Sequence, residues 1–125
     1  HILFMYKIIY ILFPILLLSC KSDAQLAMER GIKLYDWNKL DDAIVEFNKV
    51  KYLLNYDGSE SLASVELLAQ AHFNLGISYA KMELYHQAEQ EILNAISLIP
   101  NKEYRDVLNM VRSKMQPPRT DVATP

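Results

Sequence analysis

Cysteine, glycine and histidine are scarce in this sequence, and each scarcity excludes a class of chemical site. Cys20 is the only cysteine among 125 residues, which excludes an internal disulfide bond and a zinc site built from several thiolates. Three glycines offer no phosphate-binding loop, and no GxSxG motif is present. No HExxH or similar metal-ligand spacing connects His1, His72 and His86. We therefore expect a protein that is not an enzyme and that uses no metal, cofactor or small-molecule substrate.

An excess of positive charge is also lacking. The chain has 13 lysine and arginine residues against 15 aspartate and glutamate residues, a formal net charge of -2. No basic stripe is available to neutralise phosphates, so the sequence argues against nucleic-acid binding.

The polar residues that remain are best explained by ordinary helix packing. We interpret His72 as a half-buried packing residue rather than a metal ligand. Glu89 and Glu91 are two residues apart and point to different faces of a helix, so they do not form an acid/base pair.

The first nineteen residues have the composition of an export signal. Lys7 precedes an apolar run from Ile8 to Leu18, which contains Pro14. Eleven residues are too few to cross a bilayer, since a membrane-spanning helix needs about 20. A short apolar run behind a basic residue is typical of a signal peptide, and we assign residues 1–19 to one.

The segment ends in Leu17-Leu18-Ser19-Cys20, which resembles the lipobox of bacterial lipoproteins. The resemblance implies that the signal is cut before Cys20 and that this thiol carries a diacylglyceryl group, whose acyl chains are fatty acids such as palmitate. Residues 20–23 would then be a short tether between the lipid and the folded domain. The alternative is a buried N-terminal helix in which the cysteine is incidental.

The rest of the chain contains an internal repeat with an offset of 45 residues. The equivalent pairs are Gly31 and Gly76, Leu40 and Tyr85, Ala43 and Ala88, Phe47 and Ile92, and Val50 and Ala95. Because a glycine inside a helix costs about 1 kcal/mol relative to alanine, two equivalent glycines suggest a shared structural reason. We expect two helices to approach closely at Gly31/Ala43 and again at Gly76/Ala88.

This pattern resembles the tetratricopeptide (TPR) family, whose 34-residue unit is a helix-turn-helix. The resemblance covers about residues 24–57 and 69–102 and is closest in the second copy, at Leu75-Gly76, Tyr79, Tyr85, Ala88, Ala95 and Pro100. The first copy departs from it at Arg30 and Leu34. The resemblance implies an all-α fold of two repeats followed by a C-terminal capping helix.

The repeat exceeds the TPR unit by eleven residues, which map onto Gly58 to Leu68. Because eleven residues make almost three helical turns, an insertion of this length keeps the same face inward. We therefore expect an extended third helix, with Leu62 and Val65 packed on the end of the second helix near Leu53, Leu54 and Tyr56. The predicted helices span about residues 23–36, 41–54, 60–82, 85–98 and 101–115. The domain is residues 24–115, and residues 116–125 are expected to be a disordered tail.

In TPR arrays the first helix of each repeat lines a concave groove. Carried over to this chain, the groove positions that we select for partner binding are Met28, Ile32, Tyr35, Gln70, Phe73, Ile77 and Lys81, with Gln25, Asp36 and Ala80 at neighbouring positions. Apolar groove residues suit an amphipathic helix or an extended peptide. The alternative is that the last predicted helix fills the groove as ordinary core.

The layout also resembles the lipoprotein D subunits of the outer-membrane β-barrel assembly machinery. It shares the lipobox, the short tether, and the sequence Gly31, Trp37 and Ala43-Ile44, although that family carries about five repeats. The resemblance implies a lipid-anchored scaffold in the bacterial envelope, on the outer membrane facing the periplasm, that docks the barrel-inserting subunit. A structural envelope lipoprotein without a groove ligand, and a small envelope enzyme, remain as alternatives.

Overall fold

The protein is all-helical. The computed structural model describes residues 1–18, 20–57 and 61–117, and within these it contains helices and no strand. The helices are α1 (Ile2–Leu18), α2 (Asp23–Asp36), α3 (Leu40–Asp57), α4 (Leu62–Lys81), α5 (Tyr85–Leu98) and α6 (Lys102–Met115). The five helices predicted after the signal segment are present, each boundary within three residues of its expected position. Ser19, Gly58 to Glu60 and most of the predicted tail, residues 118–125, lie outside the described residues.

The N-terminal helix α1 stands apart from the rest of the described chain. It has no contact with α2 to α6, and large apolar side chains such as Tyr10 and Ile11 are exposed along it. Its helical backbone continues through Pro14. Across the described residues, no helix has both the length and the apolar character needed to traverse a bilayer.

The other helices pack in chain order. Helix α2 packs against α3, α3 against α4, α4 against α5, and α5 against α6. Because short connections join them, successive helices run in opposite directions. Helices α2, α4 and α6 therefore run in the same direction, away from the end at which Cys20 lies.

The two hairpin turns are the same structure, repeated after 45 residues. Asn38 and Glu83 have positive φ angles of 60° and 62°, in the left-handed region. In the first turn the amide of Lys39 donates to the carbonyl of Leu34 at 2.8 Å, and the equivalent bond of the second turn measures 2.9 Å. This pattern is a Schellman motif, which satisfies the last carbonyls of a helix.

Glycine at the second of these turns is expected to stabilise the protein. Glutamate is strained at positive φ, whereas glycine is not, so Glu83→Gly should raise the free energy of unfolding by about 1 kcal/mol. Asn38→Gly is the matched control and should gain less, because asparagine tolerates this conformation. Thermal unfolding followed by circular dichroism measures both variants. An unchanged or lower melting temperature for Glu83→Gly would contradict the strained turn.

The two helical glycines mark where each hairpin is closest. A methyl group on Gly31 would lie 2.5 Å from Cε1 of Phe47, and one on Gly76 would lie 2.5 Å from Cγ1 of Ile92. The expected close approach of the two helices at each glycine is therefore confirmed. The nearest side chain in the first hairpin is Phe47 rather than Ala43, because the phenyl ring reaches across the space that the missing side chain leaves. In the second hairpin it is Ile92, and the backbone oxygen of Ala88 follows at 3.3 Å.

The extra residues of the first repeat lengthen two helices rather than one. In the repeat, α4 is equivalent to α2 and α3 is equivalent to α5. After the 45-residue offset is applied, α4 begins six residues earlier than α2, and α3 ends four residues later than α5. The predicted extension of the third helix is confirmed. Ser61 starts it as the N-cap, accepting a hydrogen bond from the amide of Ser64 at 3.2 Å.

The predicted packing of the extension was wrong for Leu62, and Val65 is half-buried but does not belong to the described core that includes Leu53 and Leu54. The side chain of Tyr56 lies outside the part of the structure that is described. Leu62 is 69% exposed, and Leu67 instead packs against the first hairpin with Leu53 and Leu54. Leu62 shares the face of α4 that carries Phe73, eleven residues later, and that face packs on α5 and α6. Because α5 ends near the middle of α4, nothing in the described chain covers the first turn of this face.

This arrangement predicts effects of different size on stability for substitutions of two leucines in the same segment. Leu62→Asp should change the free energy of unfolding by less than about 0.5 kcal/mol, as exposed substitutions do. Leu67→Asp should lower it by about 2 kcal/mol or more, because it removes apolar contact and places a charge in the interface. Chemical denaturation of the two variants measures the difference. Equal effects would contradict the orientation of α4, in which Leu67 faces the first hairpin and Leu62 is exposed.

Candidate partner-binding groove

A continuous groove runs between the helices that share one direction. One cavity of about 290 Å³ is lined by Tyr35, Ile77, Ala80, Lys81, Tyr85, Val107, Met110, Val111 and Lys114. A second, of about 250 Å³, is lined by Ile32, Tyr35, Asp36, Phe47, Asn74 and Ile77. Tyr35 and Ile77 line both cavities, so we treat the two as one feature, the central groove. Helix α2 forms one wall, α4 the floor and α6 the other wall.

Helix α6 has the sequence pattern needed to form a wall. Its buried side, with Tyr104, Leu108 and Val111, packs on the second hairpin. Asn101 fixes its start, because its side-chain oxygen accepts a hydrogen bond from the amide of Glu103 at 2.8 Å. Next to the buried side stands Met110, which is 57% exposed on the groove. The groove therefore offers accessible apolar surface on a fixed backbone.

Two lysines give the central groove a positive edge. The ammonium group of Lys81 lies 4.7 Å from the centroid of the Tyr35 ring, within cation–π range. Lys114 lies on the α6 wall. Neither lysine forms an ion pair with another residue of the described chain. Asp36 places one negative charge on the opposite wall.

The structure brings together four of the seven selected groove residues. Ile32, Tyr35, Ile77 and Lys81 line the central groove, together with the neighbouring positions Asp36 and Ala80. These residues come from the C-terminal halves of α2 and α4, beside the end of α6.

The other three selected residues lie elsewhere. Met28 is buried beneath α4, and its sulfur accepts a hydrogen bond from the side chain of Asn74 at 3.2 Å. Phe73 is buried under α6, where its ring stacks on Tyr104 with the centroids 4.5 Å apart. Gln70 lines a different cavity beside Tyr104. The start of α6 thus fills part of the predicted groove, as expected from the alternative in which the last helix fills it as ordinary core. The end of α6 leaves the rest of the groove open.

Sequence reasoning missed the α6 wall. The predicted groove included no residue of the capping helix, whereas Val107, Met110 and Lys114 line the central groove. A signal was present, since Met110 is apolar but lies outside the stripe of Tyr104, Leu108 and Val111. An apolar residue beside a packed stripe indicates a second contact face.

A half-buried polar cluster connects three helices away from the groove. The carboxylate of Glu91 accepts a hydrogen bond from Nδ1 of His72 at 2.6 Å and lies 3.6 Å from the ammonium nitrogen of Lys51. Burial alone raises the pKa of Glu91. The hydrogen bond from His72 and the charge of Lys51 outweigh burial and hold this pKa below its ordinary value of 4.5. His72 is a half-buried packing residue, as expected. Its interaction with Glu91 was not predicted, because the spacing of residues along one helix does not show which side chains meet between two helices.

The cluster predicts a specific loss of stability in acid. Because the folded protein lowers the pKa of Glu91, the ionised carboxylate contributes its full stability above pH 4.5 and loses it as the pH falls through the lower folded value. Glu91→Gln should therefore lower the free energy of unfolding by about 1 kcal/mol at neutral pH, and the difference from the parent should shrink below pH 4.5.

Glu103→Gln is the matched control, because Glu103 is exposed and forms no ion pair with any described residue. Urea titrations at several pH values give the comparison. A Glu91→Gln difference that stays constant down to pH 3, or one equal to that of Glu103→Gln, would contradict the role of the cluster.

The predicted lipidation site lies at the end of the domain remote from the central groove. Cys20 is exposed, and the next helix begins at once, with Ser22 as N-cap in a capping box with Gln25. Asp23, which was predicted to belong to the tether, is the first residue of α2. Only Cys20 to Ser22 of the predicted tether therefore precede this capped helix.

Comparison with known proteins leaves the family open. No protein-family model matches the chain, and no curated protein is a significant match. Among the described residues no group of three or more histidine, cysteine, aspartate or glutamate side chains is arranged to hold a metal ion.

Proposed function

We propose that this chain is a lipid-anchored scaffold of the TPR type that binds a segment of another protein in the central groove. The observation that carries the proposal is the open groove, which three helices line with the half-buried Tyr35, Ile77 and Val107 and with Met110, which is 57% exposed. A fully packed helical bundle would bury these side chains. Apolar grooves between helices are a recurrent site for peptide and helix binding.

The internal repeat supports the TPR part of the proposal. The same Schellman turn and the same glycine-to-helix contact occur twice, 45 residues apart. Helix α6 follows in the direction of α2 and α4, at the place of a third first helix. Stacking helical hairpins in this way produces a concave surface that proteins use for binding.

The anchor end and the groove end are well separated. Twelve residues of α2 separate Asp23 from Tyr35, and at 1.5 Å per residue this places the groove about 18 Å from the tether. A lipid on Cys20 would hold the first end at a membrane and leave the groove facing away from it. We place the protein in the bacterial envelope, on the outer membrane facing the periplasm. Assembly of outer-membrane proteins, through the barrel-inserting subunit, is the candidate process.

Quantitative capture from membranes tests this function. The full chain, with an affinity tag after residue 125, is recovered from detergent-solubilised membranes of the cell that makes it. We expect one co-purifying protein in stoichiometric amount, reduced at least about fivefold by Met110→Glu, because a charge in the groove is costly to bury. Lys102→Glu, on an exposed part of the same helix, is the matched control. A preparation without a partner, or one equally reduced by Lys102→Glu, would favour a structural lipoprotein instead.

A further inference from the structure

We infer that the partner segment in the central groove is apolar with carboxylate side chains at one end, and that these carboxylates lie against α6. The inference rests on the proposed function, since it names the chemistry of the partner. It is carried by the placement of Lys81 and Lys114 around the apolar cavity of about 290 Å³, whereas Asp36 lines the adjoining cavity on the α2 side of the central groove.

The apolar part of the groove sets the length of the contact. From Val107 to Lys114 the α6 wall rises by seven residue steps, which at 1.5 Å per step is about 10 Å. Ile77 and Met110 lie within this span and are the apolar anchors. A segment that fills it contacts the groove over about two helical turns, with apolar side chains at positions i, i+3 or i+4, and i+7.

The charged residues of the groove determine which charge the partner segment carries. Lys81 is held over the ring of Tyr35, with its ammonium group 4.7 Å from the ring centroid, and Lys114 is in the last turn of α6. Both lie at the same end of the groove, because α4 and α6 run in the same direction. With no ion-pair partner in the described chain, the two ammonium groups attract a carboxylate, whereas Asp36 repels one from the α2 wall.

Lysines at the ends of helices also interact with the helix dipole, and this alone would explain Lys81 and Lys114. The two explanations differ in a measurable way. A dipole role affects the stability of the protein, whereas a binding role affects the choice between peptides of opposite charge. The test is therefore a comparison of peptides rather than of melting temperatures.

The probe is a fluorescein-labelled synthetic helix with leucines at i, i+3, i+4 and i+7 and three glutamates at one end. Its matched partner carries lysine at the three glutamate positions. Fluorescence anisotropy measures binding to the full chain in nanodiscs of zwitterionic phosphatidylcholine, with empty nanodiscs as the blank. We expect the acidic peptide to bind at least about tenfold more tightly at low salt. The difference should mostly vanish in 1 M salt, where the screening length is about 3 Å.

Charge-reversal variants assign this preference to the groove. The double variant Lys81→Glu/Lys114→Glu should reverse the preference, so that the basic peptide binds more tightly. Lys102→Glu makes a change of the same sign on the exposed start of α6 and should leave the preference intact, since its own ion pair with Asp106 is exposed. Equal binding of both peptides, no binding of either, or an unchanged preference in the double variant would overturn the inference.

Two other occupants of the groove have their own signatures. If residues 118–125 of the same chain filled it, removing them would raise the affinity for the acidic peptide at least about tenfold. If a second copy filled it, the chain would form a dimer that Met110→Glu dissociates. Either result would overturn the inference. If the acidic peptide does not bind but a partner is still captured from membranes and lost in Met110→Glu, the inference is wrong and the proposed function stands. If neither the peptide nor a partner binds, the proposed function is wrong as well.

Discussion

Replacing Cys20 by alanine is expected to abolish the acylated mature form of the protein completely. The thiol is the only one in the chain, and it is exposed directly before a capped helix. Two acyl chains anchor a protein stably because each buried methylene contributes about 0.8 kcal/mol, and none of this remains without the sulfur. Intact-mass spectrometry of protein extracted from membranes should show a chain that begins at acylated Cys20 in the parent and is missing in Cys20→Ala.

Ser22→Ala is the matched control for this change. It alters the same short tether but leaves the thiol, so it should keep the acylated mass and cost only about 1 kcal/mol of stability through the lost N-cap. A parent protein with an unmodified thiol, or one that retains residues 1–19, would contradict the lipid anchor.

The largest stability effect is expected at Phe47. This side chain is 1% exposed and fills the space that Gly31 leaves between α2 and α3. Phe47→Ala should lower the free energy of unfolding by about 3–5 kcal/mol, as truncations of buried phenylalanine do. Such a loss is a large part of the stability of a small domain, so the variant should unfold at much lower denaturant concentration.

A second substitution tests whether the cause is the contact with Gly31. In the parent, Gly31→Ala places a methyl group 2.5 Å from the ring of Phe47, so it should destabilise the protein by about 1–3 kcal/mol. In the Phe47→Ala background the same methyl group enters empty space and should stabilise α2 by up to about 1 kcal/mol, because alanine is the better helix former. The sign of the Gly31→Ala effect should therefore reverse, and an unchanged sign would show that this contact does not determine the packing.

The helices of this fold could be predicted from sequence because their signals are local. The repeated glycines and the eleven-residue insertion each act within one helix or one hairpin. The exposure of Leu62 could not be predicted in this way, because it depends on where α5 ends. The bond between His72 and Glu91 was missed for a similar reason, since it joins two helices whose relative rotation only the folded packing defines.

The candidate groove was predicted in part, for a related reason. The repeat pattern selected residues of α2 and α4, and of these Tyr35 and Ile77 line the central groove. The pattern does not define how far α6 extends across the groove. The stacking of Phe73 on Tyr104 closes one half of the groove, and Met110 borders the other half.

Photo-crosslinking in the membrane tests the central claim most directly. A photoreactive amino acid is placed at Met110, in the groove, and in a separate protein at Val45, which is 59% exposed on α3 outside the groove. Irradiation of intact membranes, followed by mass spectrometry of the adduct, identifies what touches each position. We expect an adduct with one other protein from Met110 and none from Val45, and the crosslinked peptide should be apolar with a cluster of carboxylates. No adduct from Met110, or the same adducts from both positions, would contradict a lipid-anchored scaffold that works through this groove.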